Sequence, residues 1–166
     1  AAHGRSIALA IAPEGHGAFG VLELVDVAAD SSRTLFQGAF VAFDWLPDER
    51  GLVVCGADEE EGLLRWIHVD LAGHATPLGS PWSPSRESLV ALHFFEQVGP
   101  SHPHLSADGR FLLHAGWPEE PILTAAPFEE ASDDEGDPAH VLVTPFDGSS
   151  TISLGPGRFA CFLNPR

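Results

Sequence analysis

The feature that most constrains this chain is a strand–turn–strand unit that occurs twice. In Leu105–Trp117, LSADGRFLLHAGW, residues Ser106-Ala107-Asp108-Gly109 read as a tight turn. The Asp and Ser side chains bond back to the local backbone, and Gly109 takes a positive φ without steric cost. Arg110–Ala115 then runs through Phe111, Leu112 and Leu113 as a short, mostly apolar strand. Phe43–Ala57, FDWLPDERGLVVCGA, has the same parts in the same order: an aromatic-bearing strand, a Pro/Asp/Gly turn, and the apolar strand Leu52-Val53-Val54-Cys55. Two copies of one hairpin, about sixty residues apart, indicate an internal repeat of supersecondary units. The repeat constrains architecture and specifies no chemistry.

The remaining chain reads as short strands between turns. Strands are expected at Ser6–Pro13, Phe19–Val27, Thr34–Phe36, Phe40–Leu46, Leu52–Ala57, Leu63–Leu71 and Ala75–Leu78. GSPWSPSRE, from Gly79, is too rich in Pro and Ser for regular structure. Ser88–Val98 fits either an amphipathic helix capped by Ser83 or Ser85, or an outer strand, and the strand is preferred. A strand ending at His104-Leu105-Ser106 should precede the second hairpin turn. Short strands follow at Ile122–Ala126, His140–Pro145, Thr151–Leu154 and Arg158–Leu163. The fold class is therefore all-β and antiparallel, and 166 residues suit one domain, 1–166.

Charge narrows the function classes. The chain carries 24 acids against 8 bases, all of them arginine, for a formal net charge of −16. Nucleic acids and anionic membrane surfaces demand clustered bases, so neither is an expected partner. No apolar run approaches the ~18 residues of a membrane-spanning helix. The opening AAHGRSIALAIAPEG has only the apolar run Ile7–Ala12 and reads as a strand, not a signal peptide. The compartment stays unassigned. Cys55 and Cys161 lie in apolar strands without ligand-spaced companions and read as buried free thiols.

With both units laid out, the pattern resembles the TolB-type β-propeller repeat of bacteria and, more distantly, a WD-repeat blade. Its marks are an aromatic strand, a Ser/Pro-x-Asp-Gly turn, an apolar strand, an acidic hairpin, a strand ending Asp-Leu-x-Gly, and a closing strand. DWLPDERGLVVCGADEEEGLLRWIHVDLAGHATPL follows this order through Asp70-Leu71-Ala72-Gly73, and SHPHLSADGRFLLHAGW through Pro145-Phe146-Asp147-Gly148 follows it with an insertion. Phe94-Phe95-Glu96-Gln97 with Ser101-His102 resembles a linker of such proteins. The departures are Leu46-Pro47 and Ser106-Ala107 where Ser-Pro is common. The resemblance implies four-stranded antiparallel blades: a partial blade at 6–38, a blade with an insertion at 39–100, a blade with an acidic insertion at 101–157, and the first strand of a further blade at 158–166. That makes about three blade equivalents, fewer than the typical 4–8 of a closed ring. Such a partial or split propeller leaves edges to be covered.

No constellation of residues commits the chain to catalysis, and no cofactor is expected. There is no G-x-S-x-G elbow, and nothing sets two carboxylates across a cleft. His102 and His104 share one strand face at i, i+2 spacing and, with His93 or His114, are weak metal candidates. Loop or packing histidines are the preferred reading, because zinc demands three or four converging ligands. The acidic run Glu129–Asp137 lacks the alternating order of a calcium loop and reads, like Asp58–Glu61, as solvated. Trp45 and Trp117 flank the repeated hairpins as packing anchors. Trp82, between prolines, is expected to be exposed. The protein-contact candidates are Trp82, Phe94 and Phe95 in the 80–100 segment and Trp117 at the head of the 117–139 insertion.

The expected function is a non-catalytic propeller scaffold or accessory subunit that binds another protein, or self-associates, through loops and open blade edges. The alternative is the propeller portion of a prolyl-oligopeptidase-like hydrolase whose catalytic domain is not in this sequence. A metal- or small-ligand-binding propeller ranks third.

Overall fold

The computed structural model describes residues 6–13, 18–58, 60–95, 103–119, 123–124 and 138–163. Among the described residues the fold is all-β apart from one short helix, and the chain divides into two compact units, Ala1–Pro77 and Leu78–Arg166.

The first unit is a meander of β1 (Ser6–Ile11), β2 (Phe19–Asp26), β3 (Ser31–Trp45), β4 (Gly51–Asp58) and β5 (Leu63–Asp70). Each strand pairs antiparallel with the next. The apolar run Leu52–Cys55 makes β4 an interior strand, buried on both faces. The core gathers Leu22, Leu35, Phe40, Leu52, Val54 and Val69. Phe40 sits at its middle, with ring centroids 5.2 Å from Phe19, 5.9 Å from Phe36 and 6.3 Å from Phe43. The Arg33 guanidinium donates to the Leu71 carbonyl and ties the turn after β5 to the β2–β3 hairpin.

Thr34–Phe36 and Phe40–Leu46, expected as separate strands, are one strand of 15 residues. Gly38, at φ +149°, carries the chain between the two halves without a break. Residues 31–40 of β3 pair with β2, and residues 40–45 pair with β4, so Phe40 stands in both ladders, opposite Phe19 and Gly56.

The unit boundary falls inside β6 (Ala75–Pro84). The second unit continues with α1 (Arg86–His93), β7 (Phe111–Pro118), β8 (Leu123–Thr124), β9 (His140–Pro145) and β10 (Ile152–Pro156). The end of β6 pairs antiparallel with β7, β7 with β9, and β9 with β10 through an irregularity between Ser153 and Gly155. β8 joins β10 in a two-residue parallel pair. β7 repeats the profile of β4, with Leu112, Leu113, His114 and Ala115 buried.

Three expectations fail here. The Pro/Ser-rich GSPWSP is strand, because Trp82, Ser83 and Pro84 pair with Pro118, Trp117 and Gly116 on the neighbouring β7. The expected strand Ser88–Val98 is helical over its described beginning and lies outside the described residues from 96 onward: residues 86–93 form a helix, with Ser85 in extended backbone accepting from the Ser88 amide at 3.1 Å, and Glu87 in the first turn. Arg158–Leu163 has no strand pairing. Its backbone is held instead by Ser85 Oγ, which donates to the Arg158 carbonyl at 2.5 Å, and by the Phe162 amide, which donates to the Pro103 carbonyl at 2.9 Å. The strand expected before the second hairpin turn is reduced to one bridge, Leu105 to Leu112.

Candidate functional site

At Ser106–Gly109 the repeated turn is built as its sequence implies. Gly109 has φ +69°, its amide donates to the Ser106 carbonyl at 2.8 Å, and Ser106 Oγ donates to Asp108 Oδ1 at 2.7 Å. In the other copy the Glu49 amide donates to the Leu46 carbonyl at 2.9 Å, and Glu49 itself takes φ +58°. Leu46-Pro47-Asp48-Glu49 is thus the counterpart of Ser106-Ala107-Asp108-Gly109, and Glu49 occupies the left-handed position that a glycine fits best.

Among the described residues aspartates close six turns by accepting backbone amides. Asp26 takes Ala28 and Ala29, Asp48 takes Arg50, Asp58 takes Glu60 and Glu61, Asp70 takes Ala72 and His74, Asp108 takes Arg110, and Asp147 takes Ser149. At Asp48, Asp70, Asp108 and Asp147 the bonds favour the ionised carboxylate. The His74 amide and ring hold the Asp70 carboxyl down to about 2, and its amide and side chain let Arg50 lower Asp48. These acids lock turns instead of lining a site; the sequence shows the turns at Asp48, Asp108 and Asp147, and the aspartate's own bond to the backbone was read only at Asp108.

The histidines do not assemble a metal centre. His102 lies outside the described residues, as does the acidic run Glu129–Asp137. The His104 Nδ1 is 2.9 Å from the Leu113 carbonyl, to which it donates. His114 is buried beneath Trp82, with ring centroids 4.0 Å apart, and His93 is exposed on α1. Burial, helped by the nearby charge of His104, pushes the His114 imidazole down to about 3. Among the described residues no three His, Cys, Asp or Glu side chains converge on a common point. Cys55 is buried, which pushes its thiol up, and Cys161 is half-buried.

One pair has the chemistry of a nucleophile and a base: His140 Nδ1 lies 2.7 Å from Ser153 Oγ. Ser153 is fully buried, and its Oγ also accepts from the Gly155 amide at 3.2 Å. A hydroxyl enclosed in the β9–β10 ladder offers no path to a substrate, so the pair stitches two strands together. Thr144 and Thr151 do the same at 2.9 Å.

The contact candidates divide sharply. Trp82, expected at the surface, is 1% exposed, because pairing with β7 turns its ring onto His114. It has no area to offer a partner in this fold. Trp117, expected to anchor packing, is 38% exposed at the far end of β7, and Phe94, the C-cap of α1, is 46% exposed. Phe95 is half-buried. The helix adds a feature that the preferred strand reading hid: it buries Ser88 and Leu92 while Leu89 and Val90 face outward. Its N-cap serine, followed by Arg86 and Glu87, was the signal for it. No helix among the described residues is long and apolar enough to cross a membrane.

No protein-family model matches this chain, and no curated protein matches it.

Proposed function

We propose that this chain is a non-catalytic module of propeller type, a scaffold or accessory subunit whose exposed edges and loops bind protein. The observation that carries the reading is the outward apolar face of α1, where Leu89, Val90 and Phe94 stand exposed while a serine is buried. A helix that orients its branched side chains to solvent loses hydrophobic stabilisation unless another surface covers them. The meander order and the repeated β-turn-β unit support the blade reading. So does β3, whose halves serve two ladders as a closing strand of one blade leading into the first strand of the next would do. The buried Ser153 hydroxyl and the turn-locking aspartates speak for a structural rather than a catalytic use of these groups.

The test is the mass of the native particle, by light scattering with intact mass spectrometry of its chains. The expected result is a particle heavier than the 17.7 kDa chain. The double variant Leu89→Glu/Val90→Glu should release whatever covers α1. A native particle of one 17.7 kDa chain and nothing else would refute the reading.

A further inference from the structure

Ile7-Ala8-Leu9-Ala10-Ile11 reads the same in both directions. With Ser6 these residues make up β1, which stands at an open edge: it pairs with β2, and among the described residues no strand pairs with its other side. Edge strands are usually blunted by a charge, a proline or a bulge, and SIALAI has none of these. Ile7, Leu9 and Ile11 are 53, 47 and 41% exposed on the outer face, while Ala8 and Ala10 pack toward the core.

A palindrome on an edge strand has a geometric meaning. An antiparallel partner runs in the opposite direction, so a second copy presents the same order of side chains to β1. Residues directly opposite in an antiparallel pair share a face, which restricts the register to pairs of equal parity. The register centred on Leu9 sets Leu9 on Leu9, Ile7 on Ile11 and Ala8 on Ala10. The branched side chains then meet on the outer face, where cross-strand pairs stabilise a sheet, and the alanines meet on the inner one. Shifting the register by two residues leaves one isoleucine of each copy unmatched.

We infer that β1 of two copies pairs antiparallel about a two-fold axis at Leu9, making a closed dimer. This rests on the protein-binding reading above and names the partner at this edge as the chain itself. A two-fold contact must be self-complementary, with Ile7 of one copy on Ile11 of the other and the reverse, and the palindrome meets that demand. Charge agrees. A chain of net charge −16 repels its own copy, so contact is tolerated where charge is absent, and β1 carries none. The β2 residue opposite Leu9 is Glu23. Across the joined sheet the two Glu23 positions stand three strand spacings apart, about 14 Å, beyond the screening length of about 8 Å at physiological salt. Strand addition supplies backbone hydrogen bonds for affinity. The joined edges are six residues long, a small contact by the standard of permanent complexes, so the dimer is reversible and depends on concentration.

The experiment places single cysteines along β1 of the full chain in a Cys161→Ser background, where the buried Cys55 takes no part. Under mild oxidation Leu9→Cys should join two chains through a disulfide between the two positions 9, because opposed Cα atoms lie about 4.5–5.5 Å apart. Ile7→Cys alone should not, since its two copies stand about 14 Å apart, while a mixture of Ile7→Cys and Ile11→Cys chains should join position 7 to position 11. Leu9→Lys faces Glu23 within its own chain, which spares the fold, and brings like charges together at the axis. It should raise the dissociation constant of the dimer about tenfold in light scattering over a concentration series. Absence of the disulfide at position 9, a disulfide at position 7 alone formed as fast, or unchanged association of Leu9→Lys overturns the inference. If it falls while the native particle contains another polypeptide, the protein-binding reading stands without it. A native particle of one chain at every concentration removes both.

Discussion

Replacing His114 with Gln probes the one imidazole among the described residues that the fold encloses completely. In the unfolded chain this ring titrates near 6.5, and in the fold burial pushes it down to about 3. Folding therefore favours the neutral ring. As pH falls below 6.5 the unfolded chain takes up a proton that the folded chain refuses, and stability is lost until the folded group titrates near 3. One pKa unit corresponds to about 1.36 kcal/mol, so the loss attributable to His114 between pH 8 and pH 5 is about 2 kcal/mol, and the full loss is about 5 kcal/mol. The turn aspartates do not confuse this window. At Asp48, Asp70, Asp108 and Asp147 hydrogen bonds hold the carboxyl below 3.8, so that stabilisation disappears only as pH falls from 3.8 downward, toward about 2 for Asp70. Urea melts followed by tryptophan fluorescence at pH 8 and pH 5 supply the measurement, with Trp82 stacked on the group in question. The native chain should lose about 2 kcal/mol more than His114→Gln over that interval. If Gln prevents folding, His114→Phe keeps a ring against Trp82 and cannot titrate. Equal losses in native and variant chains would refute the account of His114 as a buried neutral ring.

Phe40→Ala removes the ring on which three other phenylalanines converge and should cost about 3–5 kcal/mol in denaturant melts; a cost below about 1 kcal/mol would mean that the ring is not a core member. Glu49→Gly relieves a left-handed backbone that a side chain disfavours by about 1–2 kcal/mol, less the added freedom of glycine when unfolded, so a gain of about 0.5–1 kcal/mol is expected, and a loss would contradict the equivalence with Gly109. Ser85→Ala removes both the α1 cap and the anchor of Arg158. It should lower stability by about 1–2 kcal/mol and speed amide exchange at Ser88, which an unchanged exchange rate would disprove.

Much of the ladder was legible because its signals are local. The alternation in Phe19–Asp26, the apolar run Leu52–Cys55 and the Asp-Gly turns at 108–109 and 147–148 each carry their conformation in neighbouring residues. What was not legible depends on partners distant in sequence. Trp82 between prolines looks like a loop residue until Pro118, Trp117 and Gly116 are placed beside it. Arg158–Leu163 looks like a strand by composition, yet strand pairing cannot form without a neighbour, and its backbone bonds go to Ser85 and Pro103. The helix at 86–93 stands on a capping hydrogen bond outweighing the β-like run LVALHFF. Glu49 defeated the expectation that Gly51 forms the turn, because left-handed backbone favours glycine without requiring it. Of the contact candidates, Trp117 and Phe94 reach the surface, and Trp82 does not, for the same pairing reason.

The shared strand β3 has a kinetic consequence. Phe40 belongs to the ladder with β2 and to the ladder with β4, and its ring fills the space between them. Neither hairpin can open without withdrawing that ring from the other, so local fraying on one side is suppressed from the opposite side. The amides of β2, β3 and β4 around Phe40 should exchange with a single free energy, as one cooperative block, while those of β1 open earlier. A strand that serves two neighbours thus turns a row of hairpins, each marginal alone, into a segment that unfolds all at once.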